Sequence, residues 1–251
     1  MYYPHYKKNR RNVPILSKAE INAISERYAV EFMPQILDQP QPFNIDGFIE
    51  AYLELQLDFQ FLSHNGRYLG MTVFNDTDRV VVYIPEINEA DYIHADHGTV
   101  IIDNSLLERN QEHRYRFTLG HEGGHWIFHK AYFGYDPNQL TLFEMNAPFL
   151  QCRETNRNYL YSSTSTWDES KWMEWHADKF SAGILMPETS VHRLIQGLSG
   201  SKRGLFDEYY ATCQVSETFN VSEQAAYLRL CDLGYILQPK NEADYKQLSF
   251  L

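Results

Sequence analysis

The sequence predicts an α+β fold: a small, mostly antiparallel sheet packed on two motif-bearing helices, followed by a helical C-terminal subdomain. Three observations predict it. Residues 68–102 hold β-branched and aromatic runs broken by polar turn residues. The segments on either side carry apolar residues at helical spacing instead. Two of the later helical segments, 116–129 and 172–187, concentrate histidines and carboxylates at positions four apart.

In chain order, Ser17-Lys18-Ala19-Glu20 has capping-box spacing, and Ile21, Ile24, Tyr28, Val30 and Phe32 recur at helical intervals until Pro40 and Pro42. A second helix is predicted after Asp46, carrying Phe48, Ile49, Tyr52, Leu53 and Leu57. Tyr68 to Phe74 and Arg79 to Ile84 read as strands joined in a hairpin through Asn75, Asp76, Thr77 and Asp78. A polar loop with His94, Asp96 and His97, taken as ordinary surface histidines beside acids, leads to a third strand from Thr99 to Ile102. From about Leu106 to Lys130 the pattern is helical, although Gly123 and Gly124 each lower helix propensity by roughly 1 kcal/mol relative to Ala. Their presence implies that something comes close to the backbone there, with a substrate as one candidate.

The stretch at about 131–166 reads as an insertion, a lid, rim or excursion, with a short strand through Phe149-Leu150-Gln151-Cys152. Thr166 to Glu169 again has capping-box spacing, so the next helix is predicted to start there and end at Met186-Pro187. Further helices are expected near Pro187, near Arg203 and at Ser222, the last closing at Gly234. The chain thus divides into an N-terminal helical segment, 1–64, a core, 65–190, and a helical subdomain, 191–251.

The 116–129 segment contains His121-Glu122-Gly123-Gly124-His125. Two imidazoles four apart on a helix point the same way and form a ready pair of zinc ligands. Glu122, one position round, can reach a water on the metal and is the candidate general base. The long metzincin motif is excluded, because Phe128 and Ala131 stand where it needs Gly and His. The other common solution takes a carboxylate from a second helix, with an acid one turn later holding a ligand imidazole by its free N–H. Glu174 and Asp178 have that spacing, and the small Ala177 and Ser181 share their face.

The segment Phe117-Thr118-Leu119-Gly120-His121-Glu122-Gly123-Gly124-His125, followed by Glu174, Ala177-Asp178, Phe180, Ala182 and Leu185-Met186-Pro187, resembles the ImmA/IrrE family of zinc metallopeptidases. The likeness extends over roughly residues 65 to 236, from Gly98-Thr99-Val100-Ile101-Ile102-Asp103 to the segment from Val221 to Gly234. It implies His121, His125 and Glu174 as ligands of Zn2+ and Glu122 as the catalytic carboxylate; Asp178 is assigned to His121. It further implies a cytoplasmic endopeptidase whose protein substrate is a transcriptional repressor of a phage or mobile element. The chain departs from the family in the generous spacing between His129 and the Glu174 helix. The alternative is a non-hydrolytic zinc-containing module that docks a repressor or an antitoxin. An oxyanion donor is also needed, with eighteen tyrosines, His129, His176 and His192 as candidates.

Charge and composition limit other classes. A net charge of −11 argues against a broad nucleic-acid footprint, which needs clustered Lys and Arg. Lys7, Lys8, Arg10 and Arg11 form the exception and read as a mobile tail. The helix pair joined at Asn220-Val221-Ser222 is spaced like a helix-turn-helix, but Arg229 is its lone basic residue from Val221 to Asp232, so Ala225, Ala226, Leu230 and Leu233 are expected to pack on the core. No apolar run suggests a membrane span. Cys152, Cys213 and Cys231 are scattered, as in a reduced cytoplasmic protein, and nothing around Cys152 marks it as a nucleophile.

Overall fold

Ser17 opens the first helix, α1 (Lys18–Phe32), with the predicted capping box: its hydroxyl accepts from Glu20 N while the Glu20 carboxylate accepts from Ser17 N. The computed structural model describes residues 1–133, 149–153, 164–201 and 207–237. The Asp136-Pro137 and Ala147-Pro148 pairs and Arg203 lie outside the described residues.

The second helix is shorter than its apolar pattern suggests. α2 (Ile45–Gly47) runs on as a π-helical stretch, Phe48–Tyr52, and stops at Glu54, whose φ of 57° lies in the left-handed region. Leu57 therefore belongs to a strand, β1 (Gln56–Gln60). The remaining strands are β2 (Tyr68–Val73), β3 (Thr77–Ile84), β4 (Glu89–Ala95), β5 (Thr99–Asp103) and β6 (Phe149–Arg153).

The fold is α+β with a helical C-terminal region, but the predicted hairpin is not formed. β2 pairs antiparallel with β5 and β6, giving a sheet of order β1-β5-β2-β6 in which β1 joins β5 in parallel. β3 pairs with β4 in a separate ribbon, so His94 of the expected polar loop lies on a strand, while Asp96 and His97 follow that strand in a loop. The reason lies in burial. β5 is buried along its whole length, with Val100 and Ile102 in the helix-side core and Ile101 in a second cluster with Met71, Val73, Val80 and Val82. The ribbon thus covers the sheet's second face rather than extending its edge, and a sheet covered on both faces has no polar alternation to read.

On the helix side lie α3 (Glu112–Phe133) and α4 (Glu169–Leu185). The cap of α4 is Asp168, two residues beyond the predicted Thr166; its carboxylate accepts from Lys171 N at 2.9 Å. Glycine and small residues bring these helices together. A β-carbon on Gly124 would stand 3.0 Å from Ala177 Cα, and one on Gly120 would stand 2.7 Å from Ser181 Oγ. One on Gly123 would meet Ile49 Cδ1 at 2.7 Å. Neighbouring protein, not a substrate, accounts for the paired glycines.

The basic N-terminal segment is packed, not free. Tyr6 Oη donates toward the carbonyls of Ile127 and Phe128 at 3.2 and 3.3 Å, Val13 is buried, and Arg11 pairs with Glu169 at 2.8 Å.

α5 (Glu188–Ser201), α6 (Glu208–Phe219) and α7 (Glu223–Asp232) follow among the described residues. Gly234 follows α7 with φ 81°, its N–H bonded to Cys231 O and that of Tyr235 to Leu230 O, a Schellman closure. Ala225, Ala226 and Leu230 are buried, and so is Arg229, which donates to Met186 O and Asn22 Oδ1. Among the described residues no helix is long and apolar enough to cross a membrane.

Candidate metal centre

Because α3 is regular through the motif, His121 and His125 project side by side, and the close approach through Gly120 and Gly124 sets α4 opposite them. His121 Nε2 and His125 Nε2 lie 2.8 Å apart. Glu174 of α4 brings Oε2 to 3.4 Å from the first and Oε1 to 3.6 Å from the second. Among the described residues this is the one group of histidine, cysteine and acidic side chains whose ligand atoms converge, all within 4.8 Å of one another.

The donor set fits a divalent ion. A tetrahedral zinc with bonds of about 2.0–2.1 Å needs ligand atoms roughly 3.3 Å apart, close to the spacings here. Two imidazoles and a carboxylate also suit such an ion chemically. The imidazoles are buried, whereas the Glu174 side chain keeps 27% of its exposure.

Each imidazole is braced by its other nitrogen. His121 Nδ1 lies 2.8 Å from Asp178 Oδ1, the contact that the i, i+4 spacing of Glu174 and Asp178 anticipates. His125 Nδ1 lies instead 2.9 Å from His129 Nδ1. Burial, with the neighbouring imidazoles adding to it, holds both His125 and His129 well below the ordinary histidine pKa. His176 is pushed down by burial to about 4.

The Glu122 side chain is fully buried between α3 and β2. Thr72 Oγ1 of β2 donates to Glu122 Oε2 at 2.6 Å, and Oε1 is left without a hydrogen-bond partner among the described residues. Desolvation raises the Glu122 pKa to about 7, and the nearby Glu174 carboxylate adds to it; His121 and the Thr72 hydroxyl oppose the rise.

Sequence reasoning missed Thr72 and Gly70, which face Glu122 from the sheet. Nothing in β2 alone distinguishes them from core residues. It also missed the role of His129 and His176, although His121, His125 and His129 stand at successive spacings of four on one helix face. Those two rings are buried behind His125, and His192 is bonded to Tyr235 on the C-terminal helices, so none of the three is placed as an oxyanion donor. His94 sits on the ribbon between Asp78 and Asp96, at 2.6 and 3.0 Å, and is exposed. Cys213 and Cys231 are free thiols.

No family model matches the chain, and no curated protein matches it either.

Proposed function

We propose that the protein is a zinc-dependent endopeptidase. The observation that carries this reading is the convergence of His121, His125 and Glu174 beside a buried carboxyl, Glu122, whose pKa is raised to about 7. Bound there, zinc supplies a water of lowered pKa, about 7, and polarisation of the scissile carbonyl. Glu122 takes the proton from the attacking water and returns it to the leaving amine. A carboxylate held beside the centre is suited to both transfers. Thr72 donates to Glu122 Oε2, while Oε1, beside Gly70, has no hydrogen-bond partner among the described residues. Asp178 keeps the His121 proton on Nδ1, so that Nε2 turns to the ion.

The resemblance of the two motifs to the ImmA/IrrE family supports a cytoplasmic regulatory role, with a repressor encoded beside the gene as the protein substrate. Incubation of the zinc-loaded protein with that repressor should yield discrete fragments, and Glu122→Gln should bind zinc yet release none. An intact repressor would overturn the substrate assignment.

One observation favours a second reading, a zinc-containing module that docks its partner without cutting it: Glu122 is sealed from solvent. If Glu122→Gln matches the parent in partner binding and in every downstream effect, that reading replaces hydrolysis.

A further inference from the structure

Three imidazoles run in series away from the metal centre. His125 Nδ1 lies 2.9 Å from His129 Nδ1, and His129 Nε2 lies 3.4 Å from His176 Nδ1. Relative exposures are 0% for His125, 0% for His129 and 1% for His176, so water does not intervene from outside. The far end, His176 Nε2, is buried and has no hydrogen-bond partner among the described residues. Phe128 and Trp175 pack around that ring with centroids at 6.2 and 5.6 Å.

A neutral imidazole has one N–H and one lone pair, so each contact in the series needs a donor and an acceptor. Two arrangements satisfy it. In the first, His125 carries its proton on Nδ1, His129 accepts at Nδ1 and donates from Nε2, and His176 accepts at Nδ1. In the second every proton sits on the opposite nitrogen, and His125 then aims an N–H at the place where its Nε2 lone pair must meet an ion. Only the first is compatible with His125 as a ligand.

We infer that His129, backed by His176, is a positioning residue that accepts the His125 Nδ1–H when His125 turns its Nε2 lone pair to an ion, so that metal affinity is set partly by two histidines that never touch the ion. The inference rests on the metal-centre reading. It also makes the two ligand imidazoles unlike each other: His121 leans on a carboxylate, and His125 on a neutral ring that must itself be set by a third.

Long-range proton–nitrogen correlation spectra of the full chain, labelled with nitrogen-15 histidine and loaded with zinc, read the tautomers directly. His129 and His176 should show a protonated Nε2 and a bare Nδ1; a proton on His129 Nδ1 overturns the inference. Zinc affinity, measured by competition with a chromophoric chelator, provides a second readout. His129→Leu should weaken binding about 10–100-fold. His129→Asn, whose amide oxygen can stand where Nδ1 does and accept from His125, should recover most of that loss. Parent-like affinity in His129→Leu, or equal losses in both variants, rules out the acceptor role. A parent that takes up no zinc at all defeats the metal-centre reading instead, which keeps the two failures distinct.

Discussion

Gly70 lies so close over Glu122 that a β-carbon at that position would stand 2.6 Å from the Glu122 Oε1 atom. The same hypothetical carbon would come within 2.8 Å of Thr118 Cγ2. Strand β2 is therefore seated directly on the motif helix, and two residues on the same strand face manage one carboxyl: Gly70 makes room for it and Thr72 bonds to it. The sheet is part of the site because it sets both the position of Glu122 and the dryness around it.

Gly70→Ala should consequently act on Glu122 rather than on the metal ligands. We expect a stability loss of about 1–3 kcal/mol, typical of an added methyl in a packed interior. On the endopeptidase proposal, peptide hydrolysis should fall sharply while zinc uptake by His121, His125 and Glu174 is retained. Chemical denaturation and metal titration of the variant check the two halves of this expectation.

The raised Glu122 pKa makes a claim about pH. In the metal-free protein the folded state holds this proton up to about pH 7, whereas the unfolded chain releases it near the ordinary carboxyl value of 4.5. Between those values the native state binds more protons, so stability falls as pH rises. Glu122→Gln, which carries no titrating proton, escapes that loss. Its stability advantage over the parent should grow by roughly 2 kcal/mol from pH 5.5 to pH 8, an upper figure from about 1.4 kcal/mol per pKa unit. Taking the difference between the two proteins cancels the opposite trend from buried His125 and His129, which lose stability as pH falls below their unfolded value. Denaturant melts at the two pH values settle it; an advantage that stays flat would show that Glu122 is not held protonated.

Metal should stabilise the fold, because the ligand set joins α3 to α4 and does not exist in the unfolded chain. With free zinc a hundredfold above its dissociation constant the gain is about 2.7 kcal/mol, read as a rise in Tm that a chelator reverses. Glu174→Gln should remove most of this rise. Asp178→Asn, which leaves all three ligands in place, should weaken zinc binding about 10–100-fold. A full zinc-dependent rise in Glu174→Gln would mean that the carboxylate is not a ligand.

The convergence of His121, His125 and Glu174 was legible because helix geometry converts spacing into direction. His121 and His125, and separately Glu174 and Asp178, needed only a period of 3.6 residues to be placed. The same local logic found the Ser17 cap and the Gly234 closure. The sheet was less legible because strand pairing is long-range. A turn-like sequence from Asn75 to Asp78 suggested that β2 and β3 pair, yet Val80 and Val82 are drawn instead onto the second face beneath Met71 and Ile101. Leu57 read as helical until Glu54 broke the backbone with a left-handed conformation. The burial of Glu122 followed the same pattern: its depth depends on β2, which is fifty positions earlier in the chain and gives no sign of facing it.

Gly123 and Gly124 are chain neighbours, yet a methyl added to each should have opposite outcomes. Replacing Gly by Ala inside a helix is worth up to about 1 kcal/mol in propensity. At Gly123 the new methyl would meet Ile49 Cδ1 at 2.7 Å, the far end of a flexible side chain that can swing aside. At Gly124 it would meet Ala177 Cα at 3.0 Å and Ala177 O at 3.3 Å, which are backbone atoms of the helix that carries Glu174. That contact cannot relax without moving α4, and overpacking of this kind costs about 1–3 kcal/mol. Gly123→Ala should therefore be close to neutral in thermal unfolding. Gly124→Ala should be destabilised and, because Glu174 shifts with its helix, should bind zinc more weakly than the parent. Equal stability and equal zinc affinity in the two variants would show that the α3–α4 contact tolerates more space than its geometry allows.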